Sequence, residues 1–90
     1  MNKHKRSDLL EFPCAFPIKI IGRNSDAFHA AVKSILTKHL PGGEDLTLTS
    51  NLSSGNKYLS ITVTINAESK EQLDRIYYDL NNHELVLITM

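Results

Sequence analysis

Tyr58-Leu59-Ser60-Ile61-Thr62-Val63-Thr64-Ile65-Asn66-Ala67 alternates without a break. Leu59, Ile61, Val63 and Ile65 fall on one side. Tyr58, Ser60, Thr62, Thr64 and Asn66 fall on the other. A period of two, with β-branched residues from Ile61 to Ile65, specifies a half-buried strand. The second side carries hydroxyls and an amide, so it is suited to face water. Upstream, Leu46, Leu48, Ser50 and Leu52 alternate with Thr47, Thr49 and Asn51. Ser53-Ser54-Gly55-Asn56 between the two runs is turn chemistry, and together they read as a β-hairpin.

Helices flank this hairpin. Before it, Phe28, Ala31, Val32, Ile35, Leu36 and His39 keep the spacing of one helix face. Asn24-Ser25-Asp26 offers capping residues at its start, and Leu40-Pro41-Gly42-Gly43 stops it. After the hairpin, Ser69 and Gln72 fit a capping box, and Leu73, Ile76, Tyr77 and Leu80 form a second stripe. Lys70 with Asp74 and Glu71 with Arg75 pair on the outside of that helix. The outermost segments are again strands: Phe16 to Arg23, with Phe16, Ile18 and Ile20 on one side, and Leu85-Val86-Leu87-Ile88 after the break at Asn81-Asn82-His83. The order is βαββαβ, an α+β ferredoxin-like sandwich. It predicts a four-stranded antiparallel sheet in the order β4-β1-β3-β2, with both helices on one face and the other face open.

The 90 residues make one domain, and 41% apolar with 22% charged is ordinary globular usage. The formal net charge is zero, which gives no bulk attraction to nucleic acid or to an anionic membrane. The first six residues hold Lys3, Lys5 and Arg6 and no acid, so residues 1–7 are expected to be a disordered basic N-terminus before a single domain over 8–90. The single cysteine, Cys14, cannot form an intrachain disulfide and reads as a small buried or half-buried apolar residue. A secreted chain of this size would carry several cysteines, so the cytoplasm is expected. No apolar run is long enough for a signal peptide or a membrane span.

Two segments depart from a quiet monomer. Leu85 to Ile88 is apolar on both sides, with Leu85 and Leu87 on one and Val86 and Ile88 on the other, and it should lie at a sheet edge. Such an edge needs a cover. Leu9, Leu10 and Phe12 are one candidate, and a second subunit in a homodimer is the other. Ile21 should join that patch. The other segment is Gly22-Arg23-Asn24-Ser25-Asp26, where an arginine meets the free N–H groups of a helix start. It reads as a ligand loop for a small anion or amino acid, with plain N-capping beside a solvated arginine as the alternative. In the ligand reading Gly22 gives close backbone approach, Arg23 contacts a carboxylate, and Asn24 and Ser25 cap.

Other chemistry is missing. His4, His29, His39 and His83 are scattered and no Cys or His pair has zinc spacing, so no metal or cofactor is expected. Gly42-Gly43 lacks the Lys-Ser/Thr of a phosphate loop. RNA-recognition sheets stack bases on aromatic residues, whereas this open face offers only Tyr58 on the third strand. Arg23 brings to mind small phosphatases of this topology, but no base or nucleophile accompanies it.

Leu9-Leu10-Glu11-Phe12-Pro13, Ile20-Ile21-Gly22, Leu40-Pro41-Gly42, Ser53 to Tyr58 leading into Ser60 to Ala67, and Glu71-Gln72-Leu73 with Ile76-Tyr77 resemble, in order and spacing, the YbeD-like family of small bacterial proteins. The resemblance spans roughly Asp8 to Met90. It implies a fold similar to ACT domains, which regulate metabolic enzymes by binding amino acids and commonly dimerise. It also implies no catalytic residues and a link to lipoate attachment or one-carbon metabolism. Gly22 to Asp26 resembles the ACT ligand loop in position, although Ala27-Phe28 follows where ACT domains have Pro-Gly-Leu. The expectation is a non-enzymatic regulatory module sensing a small metabolite, with a metabolic enzyme as a possible partner. The alternative is an adaptor subunit that docks through Ile21, Leu85, Val86, Leu87 and Ile88 without a ligand.

Overall fold

A computed structural model describes residues 11–41 and 46–90. The basic tail and residues Leu9 and Leu10 of the expected cover lie outside the described residues. Strand β1 (Cys14–Arg23) is followed by helix α1 (Asp26–His39), strand β2 (Leu48–Leu52), a single 3-10 turn (Ser54–Asn56), strand β3 (Tyr58–Ala67), helix α2 (Lys70–Asn81) and strand β4 (Val86–Thr89). The sheet order is β2-β3-β1-β4, as expected. The two long strands pair antiparallel over their whole length, from Cys14 opposite Ala67 to Arg23 opposite Tyr58. That pairing extends β1 back to Cys14, two residues before its alternation becomes legible.

The core lies between the sheet and the helices. Ile18, Ile20, Ile61, Val63 and Ile65 meet Phe28, Val32 and Leu36 of α1 and Leu73, Ile76 and Leu80 of α2. Burial of these side chains, each contributing about 1.5–3 kcal/mol, holds both helices on one face. Phe12 and Cys14, both half-buried, pack against the edge of this cluster.

Pro17 sits inside a ten-residue inner strand, a place where proline is normally excluded. The register explains it. Lys19 exchanges both backbone hydrogen bonds with Met90, at 3.0 and 2.8 Å. Residues two apart on a strand point their backbone groups the same way, so Pro17 also faces the β4 side. β4 pairs β1 only at Ile20, Ile21 and Gly22 and is continued by Met90 opposite Lys19. The N–H that proline lacks would have pointed beyond β4, at an edge unpaired among the described residues. There, proline also discourages strand addition.

Gln72 ties the helices together and is the one buried polar residue among those described. The Ser69 hydroxyl accepts from the Gln72 backbone N–H at 3.1 Å, which is half of the expected capping box. The other half is displaced by one residue: the Gln72 Oε1 accepts from the Glu68 N–H at 2.7 Å. Its Nε2 donates to the His39 carbonyl at 3.1 Å. One side chain thus satisfies an orphan carbonyl at the end of α1 and an orphan N–H before α2.

Candidate functional site

The loop from β1 to α1 is held from three sides. Gly22 is buried, and a Cβ on it would stand 2.6 Å from the Leu85 carbonyl oxygen and 2.6 Å from two ring carbons of Phe28. The close approach at this glycine is therefore made by the protein's own aromatic ring and β4 backbone. Asn24 was expected to cap. Instead its N–H donates to the Lys57 carbonyl and its Nδ2 to the Asn56 carbonyl, both at 3.0 Å. Those carbonyls are presented by a turn in which Gly55 and Asn56 take positive φ, 82° and 60°. Ser25 is the cap, with its Oγ accepting from the Phe28 N–H at 3.0 Å. Arg23 and Asp26 are left exposed. Neither has an ion pair among the described residues. Arg23 lies opposite Tyr58 on β3.

The β4 patch corrects one expectation. Strict alternation put Val86 and Ile88 on one side. The ladder instead pairs Gly22 with Val86 and Ile21 with Ile88, skipping Leu87. The bulge absorbs one residue, so Val86 turns to the core beside Leu85 while Ile88 joins Ile21 on the open face. Leu87 and Ile88 are left 55% and 51% exposed. Leu85 and Val86 are half-buried and belong to the core margin.

The scattered histidines hid a contact that the fold creates. His39 at the end of α1 and Asp79 on α2 meet, Nε2 to Oδ2 at 2.5 Å, with the Lys38 ammonium 3.6 Å from the same oxygen. The His39 hydrogen bond, helped by Lys38, holds the Asp79 carboxyl below its ordinary range against a smaller opposing effect of desolvation. A groove of about 430 Å³ runs past this pair, lined also by Asp74, Arg75 and Tyr78. The pair ties the C-terminal end of α1 to α2. Only the aspartate-to-histidine separation of 40 residues kept it from view. No group of three metal-ligating side chains occurs among the described residues.

Residues 7–90 match the family described as "Protein of unknown function (DUF493)". The chain belongs to that family. A UPF0250 protein of Chromobacterium violaceum is 35% identical over 86 residues, covering 96% of this chain and 97% of that protein. One from Nitrosomonas europaea is 42% identical over 82 residues, covering 91% and 94%. The resemblance to YbeD-like proteins is thereby confirmed. Among solved structures, protein HP0495 of H. pylori superposes with a TM-score of 0.73 at 21% identity, over 99% of this chain and 98% of that one. The ACT domain from GTP pyrophosphokinase of Chlorobium tepidum superposes with a TM-score of 0.61 at 15% identity, over 86% and 97%. At these identities the likeness is one of fold. The DUF493 domain is a ferredoxin-like sandwich of ACT-like form, and the family match points to no class of catalyst. No helix among the described residues is long and apolar enough to cross a membrane.

Proposed function

We propose that this DUF493 domain is a non-enzymatic regulatory module of the cytoplasm that binds a small metabolite or amino acid beside Gly22 to Asp26. One observation carries the reading: Arg23 is exposed and without an ion pair among the described residues, on a loop that its neighbours hold in place. Asn24 pins the loop to the hairpin turn and Ser25 pins it to α1. An arginine so carried keeps its guanidinium for a ligand carboxylate, and the start of α1 beside it favours negative charge. Asp26 stands ready for an ammonium group. The shared fold with a domain that belongs to an enzyme, GTP pyrophosphokinase, supports a domain that serves an enzyme. A homodimer or a metabolic enzyme would receive the signal.

The test is thermal unfolding against amino acids and central metabolites, lipoate among them. A ligand at 100 times its dissociation constant adds about 2.7 kcal/mol, and each kcal/mol moves the midpoint by about 4–8 °C in a domain of this size. Arg23→Ala is expected to abolish the shift while leaving the unliganded midpoint within about 2 °C of the parent. Undiminished affinity in Arg23→Ala removes the loop from the site. The half-exposed Leu87 and Ile88 favour a second reading, the adaptor that docks through β4. A flat ligand panel together with a monomer by light scattering supports that reading.

A further inference from the structure

Charge is unevenly distributed over this neutral chain. None of the four strands contains an aspartate or glutamate. The helices hold Asp26, Glu71, Asp74 and Asp79. Lys19, Ile21 and Arg23 alternate with the buried Ile18, Ile20 and Gly22, so they occupy the sheet face away from the helices. That face carries cations with no strand carboxylate to answer them. Neither Lys19 nor Arg23 has an ion pair among the described residues.

A groove of about 230 Å³ crosses this face, lined by Lys19, Ile21, Asn51, Leu52, Tyr58 and Ser60, with Ser53 at its rim. The register places Ile21, Ser60 and Asn51 side by side across β1, β3 and β2. Lys19 stands two residues to one side of that row and Tyr58 two residues to the other, a span of about 13 Å along the strands. The Ser53 hydroxyl is engaged, accepting from the Tyr58 N–H at 2.9 Å. The Ser60 hydroxyl is shielded from water and has no hydrogen-bond partner. The side-chain polar groups left for a ligand are thus an ammonium and an amide, set beside Ile21 and a tyrosine ring.

We propose that this groove is a binding site for a small organic anion with a flat apolar body. Lys19 takes the carboxylate or phosphate, Asn51 supplies a hydrogen bond, and the body rests on Ile21 and Tyr58. Lys19, without an ion pair among the described residues, sets the sign of the ligand's charge, and the volume limits it to the size of a small metabolite. This site lies on the sheet and is independent of the loop reading.

The experiment is a titration of the ¹⁵N-labelled full chain, followed by amide chemical shifts, with phenylphosphate and with phenylacetate. Inorganic phosphate and acetate serve as head-group controls. The expected result is saturable shifts at Lys19, Ile21, Asn51, Tyr58 and Ser60, with an aryl anion bound at least tenfold more tightly than its bare head group. The tighter of the two aryl anions identifies the head group as phosphate or carboxylate. Lys19→Gln should weaken binding about tenfold, and Lys33→Gln on α1 should not. Asn51→Ala should leave the thermal midpoint unchanged, because its exposed side chain has no hydrogen bond among the described residues, yet weaken the aryl anion several-fold. Equal binding of bare and aryl anions means counter-ion attraction only and overturns the site. So do shifts scattered over surface lysines, shifts confined to Arg23 to Asp26, and undiminished binding in Lys19→Gln.

Discussion

Replacing Gly22 by alanine puts a methyl group where β1, β4 and α1 converge. The new Cβ would lie 2.6 Å from the Leu85 carbonyl oxygen and from two Phe28 ring carbons, whereas ordinary contacts begin at 3.4 Å. Atoms on both sides must therefore part by roughly 0.8 Å. The Phe28 ring is fully buried and cannot swing into solvent. The carbonyl belongs to the residue that leads into β4, so moving it disturbs the bulged pairing of Val86 with Gly22. Gly22 does not have positive φ, so the penalty is one of packing and not of backbone conformation. Overpacking of this kind costs about 1–3 kcal/mol, and with a backbone atom among the obstacles the upper half of that range, about 2–3 kcal/mol, is expected. The midpoint of thermal unfolding should fall by roughly 8–24 °C. Gly55→Ala is the control. There φ is 82° and nothing lies within 4 Å, so only the left-handed backbone resists, at about 1–2 kcal/mol. Adding Phe28→Leu to Gly22→Ala should recover part of the loss through a favourable coupling of about 0.5–3 kcal/mol in a double-mutant cycle. A Gly22→Ala midpoint within about 3 °C of the parent would refute the packing argument and return Gly22 to a role at a ligand.

Two further outcomes follow from the helix side. Gln72→Leu strips partners from the Glu68 N–H and the His39 carbonyl at once. At about 1–3 kcal/mol for each unsatisfied buried group, reduced by their partial access to water, the expected loss is about 2–4 kcal/mol, read by urea unfolding. A loss below about 0.5 kcal/mol would show that water replaces the side chain freely. Asp79→Asn should lower stability at neutral pH in a pH-dependent way. Because its carboxyl is held below the ordinary 3.8, its contribution is complete above that value and is lost as pH falls through the lower folded value. Parent and variant should therefore converge in acid, and His39→Ala should move the Asp79 titration back towards its ordinary value, as carboxyl NMR can follow. A stability offset that stays constant from pH 7 to about pH 2 would mean that the aspartate acts by shape and not by charge.

The fold was legible because its elements are locally consistent. β3 shows ten residues of unbroken alternation, α1 and α2 carry single apolar stripes, and Ser25 and Ser69 stand where their helices begin. With topology reduced to βαββαβ, the sheet order and the open face followed. The candidate loop was legible as residue types but not as roles. Gly22, Asn24 and Ser25 mark Gly22–Asp26 as special, but which of them serve the fold depends on Phe28, Lys57, Asn56 and Leu85, which approach from elsewhere in the chain. The β4 bulge left no sign in the sequence, since Leu85-Val86-Leu87-Ile88 is apolar whichever residue is skipped.

Sequence alone determined the order of elements, the inward-facing residues and the caps, because these depend on neighbours within about four positions, where side-chain periodicity and backbone hydrogen bonding act. It also determined that the strands carry no acid. Tertiary structure decided that Gly22 is a packing glycine, that Pro17 faces away from β3 beyond the end of β4, and that Gln72 and the His39–Asp79 pair join the two helices. It alone gathered Lys19, Asn51, Tyr58 and Ser60 around one groove. These are contacts between groups as far apart in sequence as Gly22 and Leu85 or Lys19 and Met90, and their distances are set by strand register and helix packing, which no local pattern encodes.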